Sequence, residues 1–258
     1  MIKRLQSITN KIAPFLAIAC ILILWQTLSG TGTVPKFMLP SPADVVLAFI
    51  KDFPLLMQHM GTTLTEAFWG LSLGIVLGFV VSVLMDRYVI AYKAIYPVLV
   101  ITQTIPTVAI APLLVLWLGY GILPKITLII ITSFFPITIG LLDGFKSADP
   151  DAINLMKAMG ATRMQRFYHI KLPSSLSHFF AGLRISVSYS IIGAVVAEWL
   201  GGFNGLGVYM TRVKKSFSYD KMFAVIFLIS IISLLLMLGV SALQKAVMPW
   251  ERKEIRHK

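Results

Sequence analysis

Charge is what this sequence has least of. Asp, Glu, Lys and Arg together make up 13% of its 258 residues, roughly half the ~25% usual in soluble domains. Apolar residues make up 57%, and the mean hydropathy is +0.83. No soluble core of this size hides so much apolar surface, so the bilayer is the solvent that makes the composition sensible. Cysteine is nearly absent. The single Cys20 excludes an internal disulfide, and no Cys/His spacing suggests a metal site. Cys20 lies inside an apolar run, where it reads as a small lipid-facing or packing residue. The phosphate-loop pattern G-x-x-x-x-G-K-[ST] is missing, so the chain itself is not expected to bind ATP. Neither H-E-x-x-H nor a nucleophile–base arrangement occurs. His59, His169, His178 and His257 are scattered near the ends of apolar runs. No catalytic residue, metal or cofactor is therefore expected in this chain, and it is not read as an enzyme.

Acids are scarcer than bases: 11 Asp and Glu stand against 23 Lys and Arg, giving a formal net charge of +12. Such a balance often signals nucleic-acid binding. Here the basic residues sit in short segments between long apolar runs, where they act as topology signals. The expected partner is the lipid bilayer, with no nucleic acid.

A spanning helix needs about 20 mostly apolar residues, and six stretches meet that need: 12–28, 63–85, 94–118, 122–142, 179–200 and 222–244. The first has no small-residue cleavage site before a polar region, so it is read as a retained span rather than a signal peptide. Backbone in lipid must satisfy its own hydrogen bonds, so these stretches are expected to be helices. With both termini cytoplasmic, Lys and Arg favour the inner segments by about two to one. The expected fold is an all-α integral membrane protein of about six transmembrane helices, N-in and C-in, forming one domain over 1–258.

Three connections are longer than turns. In 31–61, on the outer side, Leu39-Pro40-Ser41-Pro42 forces an extended stretch, and the residues through 49–56 suit an interfacial helix. In 201–221, also outside, Gly201, Gly202, Gly205 and Gly207 suit irregular or re-entrant backbone near a cavity. The third connection, 143–178, faces the cytoplasm.

This inner loop carries the densest local signals. Asp149 is placed to cap a helix that starts at Pro150, where the missing N–H costs nothing. Gly160 is placed to end it. Thr162 and Gln165 have capping-box spacing for a second helix, which Leu172-Pro173 is expected to end. The product is a compact helix–Gly–helix elbow. It reads either as an amphipathic element resting on headgroups or as a rigid lever that a partner grips.

The interval from Gly160 to Ile170-Lys171-Leu172-Pro173 resembles the cytoplasmic signature loop of ABC importer permeases. In that family a glycine precedes I-x-L-P by this spacing, and the loop enters a cleft of the ATPase subunit. Asn154-Leu155-Met156 stand where the family has Glu-Ala-Ala. Further segments are similar to the sulfonate, taurine and nitrate branch: Leu39-Pro40-Ser41-Pro42, Gln103-Thr104-Ile105-Pro106, Ala111-Pro112-Leu113, Gly182-Leu183-Arg184, Ala197-Glu198-Trp199-Leu200-Gly201 and Gly205-Leu206-Gly207. They run in order from about residue 39 to 210. Within that branch, Asp52-Phe53-Pro54-Leu55, Met159-Gly160-Ala161-Thr162 and Glu198-Trp199-Leu200-Gly201-Gly202 look most like permeases for thiamine-precursor pyrimidines such as hydroxymethylpyrimidine.

The resemblance implies a type I ABC importer permease of the bacterial inner membrane. It implies a permease homodimer, two copies of a cytoplasmic ATP-binding subunit that uses the ATP, and an extracytoplasmic solute-binding protein. It also assigns the ATPase-coupling loop, 149–173, to Asp151, Met156, Ala158, Met159, Gly160, Ala161, Arg163, Ile170, Leu172 and Pro173. Gln103, Pro106 and Glu198 are the candidates for lining the solute path. A stand-alone secondary transporter is the rival class, and it would need an internal ion relay. A membrane-embedded enzyme would need clustered polar catalytic groups.

Ionisable residues at membrane depth face protein or a water-filled path. Arg184 has two readings, snorkelling to the inner headgroups or clamping the inner loop. Glu198 also has two, an interface residue beside Trp199 or the outer mouth of the path. Pro106, Pro112 and Pro136 kink or break their helices. Gly70, Gly74 and Gly78, four apart, let another helix approach closely.

Overall fold

A computed structural model describes residues 2–32, 34–35 and 38–250, with the side chains of 2–12 and Pro14 also outside the description. The side chains of Lys3, Arg4 and Lys11 lie outside the description, as do Lys36, the basic residues of 252–258 and His257. The described chain is helical with no strand: α1 (Ile2–Gly30), α2 (Pro42–Lys51), α3 (Phe53–Arg87), α4 (Val89–Thr104), α5 (Thr107–Leu118), α6 (Leu123–Lys146), α7 (Pro150–Ala158), α8 (Arg163–Arg166), a π turn (Phe167–Lys171), α9 (Leu172–Gly201), α10 (Leu206–Lys215) and α11 (Tyr219–Val247).

Four helical stretches among the described residues are long and apolar enough to cross a membrane: Phe53–Arg87, Leu123–Lys146, Arg163–Gly201 and Tyr219–Val247. A fifth exists if α4 and α5, bent by 102° at the break between them, count as one span. In α1 the apolar stretch Phe15–Gly30 is shorter. The expected span 94–118 is thus a broken one. Pro106 has no N–H to continue the ladder, and its ring disfavours helical backbone at Ile105, which is extended at φ −85°, ψ 122°.

The chain divides into two compact units. One comprises Met1–Gln58 and Tyr209–Leu228, the other His59–Val208 and Ile229–Lys258. In the first unit, extended backbone at Ser41 gives way to α2 at Pro42, sooner than expected. Ser41 Oγ accepts the Asp44 N–H, and the Asp44 carboxylate accepts the Ser41 N–H at 3.1 Å. This reciprocal cap, with Pro42 at the first helical position, starts the helix at once. Trp25 stacks on Phe227 at 5.7 Å and donates from Nε1 to the Pro40 carbonyl at 2.9 Å. Asp52, at the end of α2, accepts from Tyr209 Oη at 2.5 Å and from Lys221 Nζ at 2.7 Å. Burial pushes its carboxyl upward, but the Lys221 and Tyr209 hydrogen bonds and the Lys221 charge together hold it below the ordinary carboxylate value. The Tyr209 hydroxyl is raised, by burial first and then by Asp52.

The second unit is built on α6. On one side, side chains added at Gly70, Gly74 and Gly78 of α3 would run into Ile129, Ser133 and Ile137 of α6. The glycine repeat therefore serves close helix approach, as its spacing implied. On the other side, Gly140 and Gly144 face the backbone of His178 and Ser175 in α9, while Gly182 of α9 faces Pro136. Ser186 Oγ donates to the Ser133 carbonyl at 2.7 Å. Leu128, Ile129, Ile137 and Ile191 are fully buried along these seams.

Candidate functional site

The elbow between α6 and α9 forms from local chemistry. Asp149 accepts the Asp151 N–H at 2.9 Å, and Pro150 opens α7. Gly160 takes φ +80°, a left-handed conformation that favours glycine. The Gly160 N–H reaches the Lys157 carbonyl at 3.1 Å, and the Ala161 N–H reaches that of Met156 at 2.9 Å. This is the Schellman closure of a helix end. Thr162 and Gln165 then cap one another reciprocally, with Thr162 N–H to Gln165 Oε1 at 2.7 Å. The two helices and their glycine stand where the sequence placed them.

The proline does not end the second helix. Helix continues from Arg163 to Gly201. A proline deprives the residue four positions back of its hydrogen bond and crowds its carbonyl. Here the π turn supplies a wider ring, with the Leu172 N–H bonding the Phe167 carbonyl, and Pro173 falls in the first turn of α9. The elbow is thereby continuous with a membrane-spanning rod.

The sequence-assigned residues separate into two faces. Met156, Met159, Gly160 and Ala161 come together with Gln165 and His169 around a pocket of about 290 Å³. Leu155, Met159, Met164 and Tyr168 are exposed large side chains on this element. Such clustered apolar exposure marks a binding surface. Asp151, Ala158, Arg163 and Pro173 are also exposed, whereas Ile170 and Leu172 are half-buried. Leu172 packs with Phe167 against Ile137, Leu141 and Phe145. The sequence reading missed Gln165 and His169 as pocket residues, although one helical turn separates them.

The residue just before α9 ties this helix to α3. Lys171 Nζ donates to both oxygens of Asp86, at 2.6 and 2.9 Å. Arg184, farther along α9, donates to Gln244 of α11 at 2.7 Å, a partner neither sequence reading named.

At the other end of α9, Glu198 is 1% exposed. Its Oε1 accepts from Thr63 Oγ1 at 2.7 Å, and its Oε2 accepts from the Gly207 N–H at 2.6 Å. The Gly205 N–H donates to His59 Nδ1 at 3.0 Å and the Leu206 N–H to Thr63 Oγ1 at 2.9 Å. Three successive N–H groups at the start of α10 thus end on side chains of α3 and α9, which cap it in place of a local N-cap. Gly205 has φ +125°, and a Cβ there would strike the Glu198 carboxylate. Beside this clasp, Lys125 Nζ meets Glu66 Oε1 at 2.5 Å with both side chains buried. The positive N-terminus of α10 faces the Glu198 carboxyl, an orientation that favours an acidic group there. Gly205 and Gly207 therefore wrap the Glu198 carboxyl, a role composition alone did not specify. Gln103 and Pro106 lie elsewhere, exposed at the break between α4 and α5.

A continuous rod rising from a capped elbow, packed on glycine seams, is matched by a family model over residues 70–253: binding-protein-dependent transport system inner membrane component. The chain belongs to this family. It is a permease subunit of an ABC importer, a multi-pass protein of the bacterial inner membrane. The permease is 38% identical to the formylaminopyrimidine transport permease protein ThiX of Halalkalibacterium halodurans, over 93% of this chain and 96% of that protein. It is 30% identical to the taurine transport system permease protein TauC of Escherichia coli, over 90% and 87%. Its fold is shared with a chain in the crystal structure of a bacterial ABC transporter involved in the import of the acidic polysaccharide alginate. The TM-score is 0.63 at 17% identity, covering 95% of this chain and 99% of that one. Membership of a binding-protein-dependent family implies an ATP-binding subunit and a solute-binding protein as partners.

Proposed function

We propose that this permease forms the solute path of an importer for a thiamine-precursor pyrimidine and takes its mechanical drive through the 149–173 elbow. The solute assignment rests on the similarity to the formylaminopyrimidine permease. The coupling assignment rests on one observation: a tightly capped elbow with an exposed apolar face, continuous with the spanning helix α9. A flexible loop transmits no displacement, whereas a capped helix pair joined to a rod does.

In this reading two copies of the permease, N-in and C-in, make a homodimer, each chain one permease domain over 1–258. Each elbow seats in a separate ATPase subunit, where the ATP is used, and this chain holds no cofactor of its own. The face built from Met156, Met159, Gly160 and Ala161 seats in the ATPase. Asp151, Ala158 and Arg163 border it, and Ile170, Leu172 and Pro173 join it to α9. A binding protein delivers solute on the outer side. Gln103 and Pro106, at the broken span, and Glu198, at the outer end of α9, border the path. ATP-driven closure of the ATPases moves the elbows and alternates access by rigid-body motion. A taurine-like sulfonate is the second reading, favoured by the similarity to the taurine permease.

The test is uptake into vesicles holding the permease, its ATPase and its binding protein. Radiolabelled formylaminopyrimidine should accumulate with ATP and not without it. Accumulation of taurine alone would replace the pyrimidine reading with the sulfonate one. ATP-independent uptake by the permease alone would overturn the coupling reading.

A further inference from the structure

The two ends of α9 are both fastened to the same neighbour. At the inner end, Lys171 grips Asp86 through both carboxylate oxygens, with side chains 28% and 20% exposed. At the outer end, Glu198 is bonded to Thr63. Asp86 and Thr63 are the inner and outer stations of α3, 23 residues apart, or roughly 35 Å along the helix. Lys171 and Glu198 are 27 residues apart, roughly 40 Å on the same rise. Between these fastenings the space is filled by α6, which both helices approach through glycine.

The physical consequence follows from how helices yield. Two rods joined at one point pivot, while two rods joined at both ends and packed through a third cannot slide past one another. Interiors packed this closely transmit displacement rather than absorb it. The Glu198 fastening also holds the N-terminus of α10 through Gly207.

We infer that the Lys171–Asp86 ion pair is the inner clamp that makes α3, α6 and α9 move as one body, so that a push on the elbow reaches the Glu198 clasp on the other side of the membrane. Lys171 and Asp86 are positioning residues for transport. They touch neither solute nor ATP, and they act by preventing α9 from slipping along α3. This inference rests on the lever reading of the elbow. It adds where the displacement goes and which pair carries it.

The test uses the full permease assembled with its ATPase in proteoliposomes. Cys20 is replaced by Ser, and Phe203→Cys, on an exposed residue beside the outer clasp, carries the reporter. Its rate of modification by a membrane-impermeant maleimide is compared without nucleotide and after trapping with ATP and orthovanadate. The parent should change rate at least 3-fold on trapping. Lys171→Gln and Asp86→Asn, both mild enough to preserve assembly, should each lose most of that change while still co-purifying with the ATPase. Asp86→Lys combined with Lys171→Glu, which re-forms the pair in reverse, should recover at least half of it. A full response in either single variant overturns the clamp and leaves the elbow reading intact. Failure of the reversed pair to recover, with the ATPase still bound, also overturns it. No response in the parent sinks the lever reading itself.

Discussion

Lys125 and Glu66 meet at 2.5 Å with side chains 6% and 4% exposed, an ion pair sealed from water between α3 and the start of α6. Removing one partner of such a pair leaves an uncompensated buried charge, which costs about 3–5 kcal/mol. Replacing both by apolar residues of similar size is often neutral. Lys125→Met should therefore lower the thermal unfolding midpoint of the detergent-purified permease markedly. Lys125→Met combined with Glu66→Leu should recover much of the loss. Equal midpoints for the single variant and its parent would show that the pair bears no stability.

Two helix glycines in different surroundings make a sharper steric prediction. A Cβ on Gly144 would sit 2.5 Å from the Cα of Ser175, whereas a Cβ on Gly239 of α11 would meet nothing within 4 Å. Gly144→Ala should cost about 1–3 kcal/mol through overpacking. Gly239→Ala should be neutral or stabilise by up to ~1 kcal/mol through helix propensity. Comparing the thermal midpoints of the two variants checks this directly.

Asp52 gives a pH signature. Its carboxyl is held below the ordinary value in the folded chain, against about 3.9 when unfolded. The stability it contributes is therefore complete above the unfolded value and is lost as pH falls through the folded one. The stability difference between parent and Asp52→Asn should be constant from about pH 5 upward and should shrink as pH drops below 4. A difference that grew on acidification would contradict the arrangement with Lys221 and Tyr209.

At the elbow, Gly160 stands at φ +80°, a value proline's ring forbids. Gly160→Pro should leave membrane insertion unchanged, as read by accumulation in the membrane fraction. It should also uncouple ATP hydrolysis from uptake, lowering solute moved per ATP by at least 10-fold. Normal uptake by this variant would count heavily against the lever.

These residues also show what sequence makes legible. The elbow could be read because its determinants are local: Asp149 and Pro150 adjoin, Gly160 closes its own helix, and Thr162 and Gln165 are three apart. The seam of Gly70, Gly74 and Gly78 could be read because a fourfold repeat needs only helical periodicity. The Glu198 clasp could not be read, since Thr63 and Glu198 lie 135 residues apart and no spacing announces their bond. His59, near the edge of the expected span, and Thr63, its first residue, are both buried and hydrogen-bonded. Pro173 misled because a π turn carries a helix through it, a solution that depends on packing of Phe167 and Leu172 against α6.

The account depends on the side of the membrane that the elbow faces, and one measurement addresses that most directly. Met159→Cys in a chain with Cys20→Ser is exposed to an impermeant maleimide in sealed right-side-out and in inverted vesicles. The account predicts rapid labelling in inverted vesicles, protection there when the ATPase is bound, and no labelling in right-side-out ones. Labelling of right-side-out vesicles alone would place the elbow beyond the reach of any cytoplasmic ATPase and contradict the account.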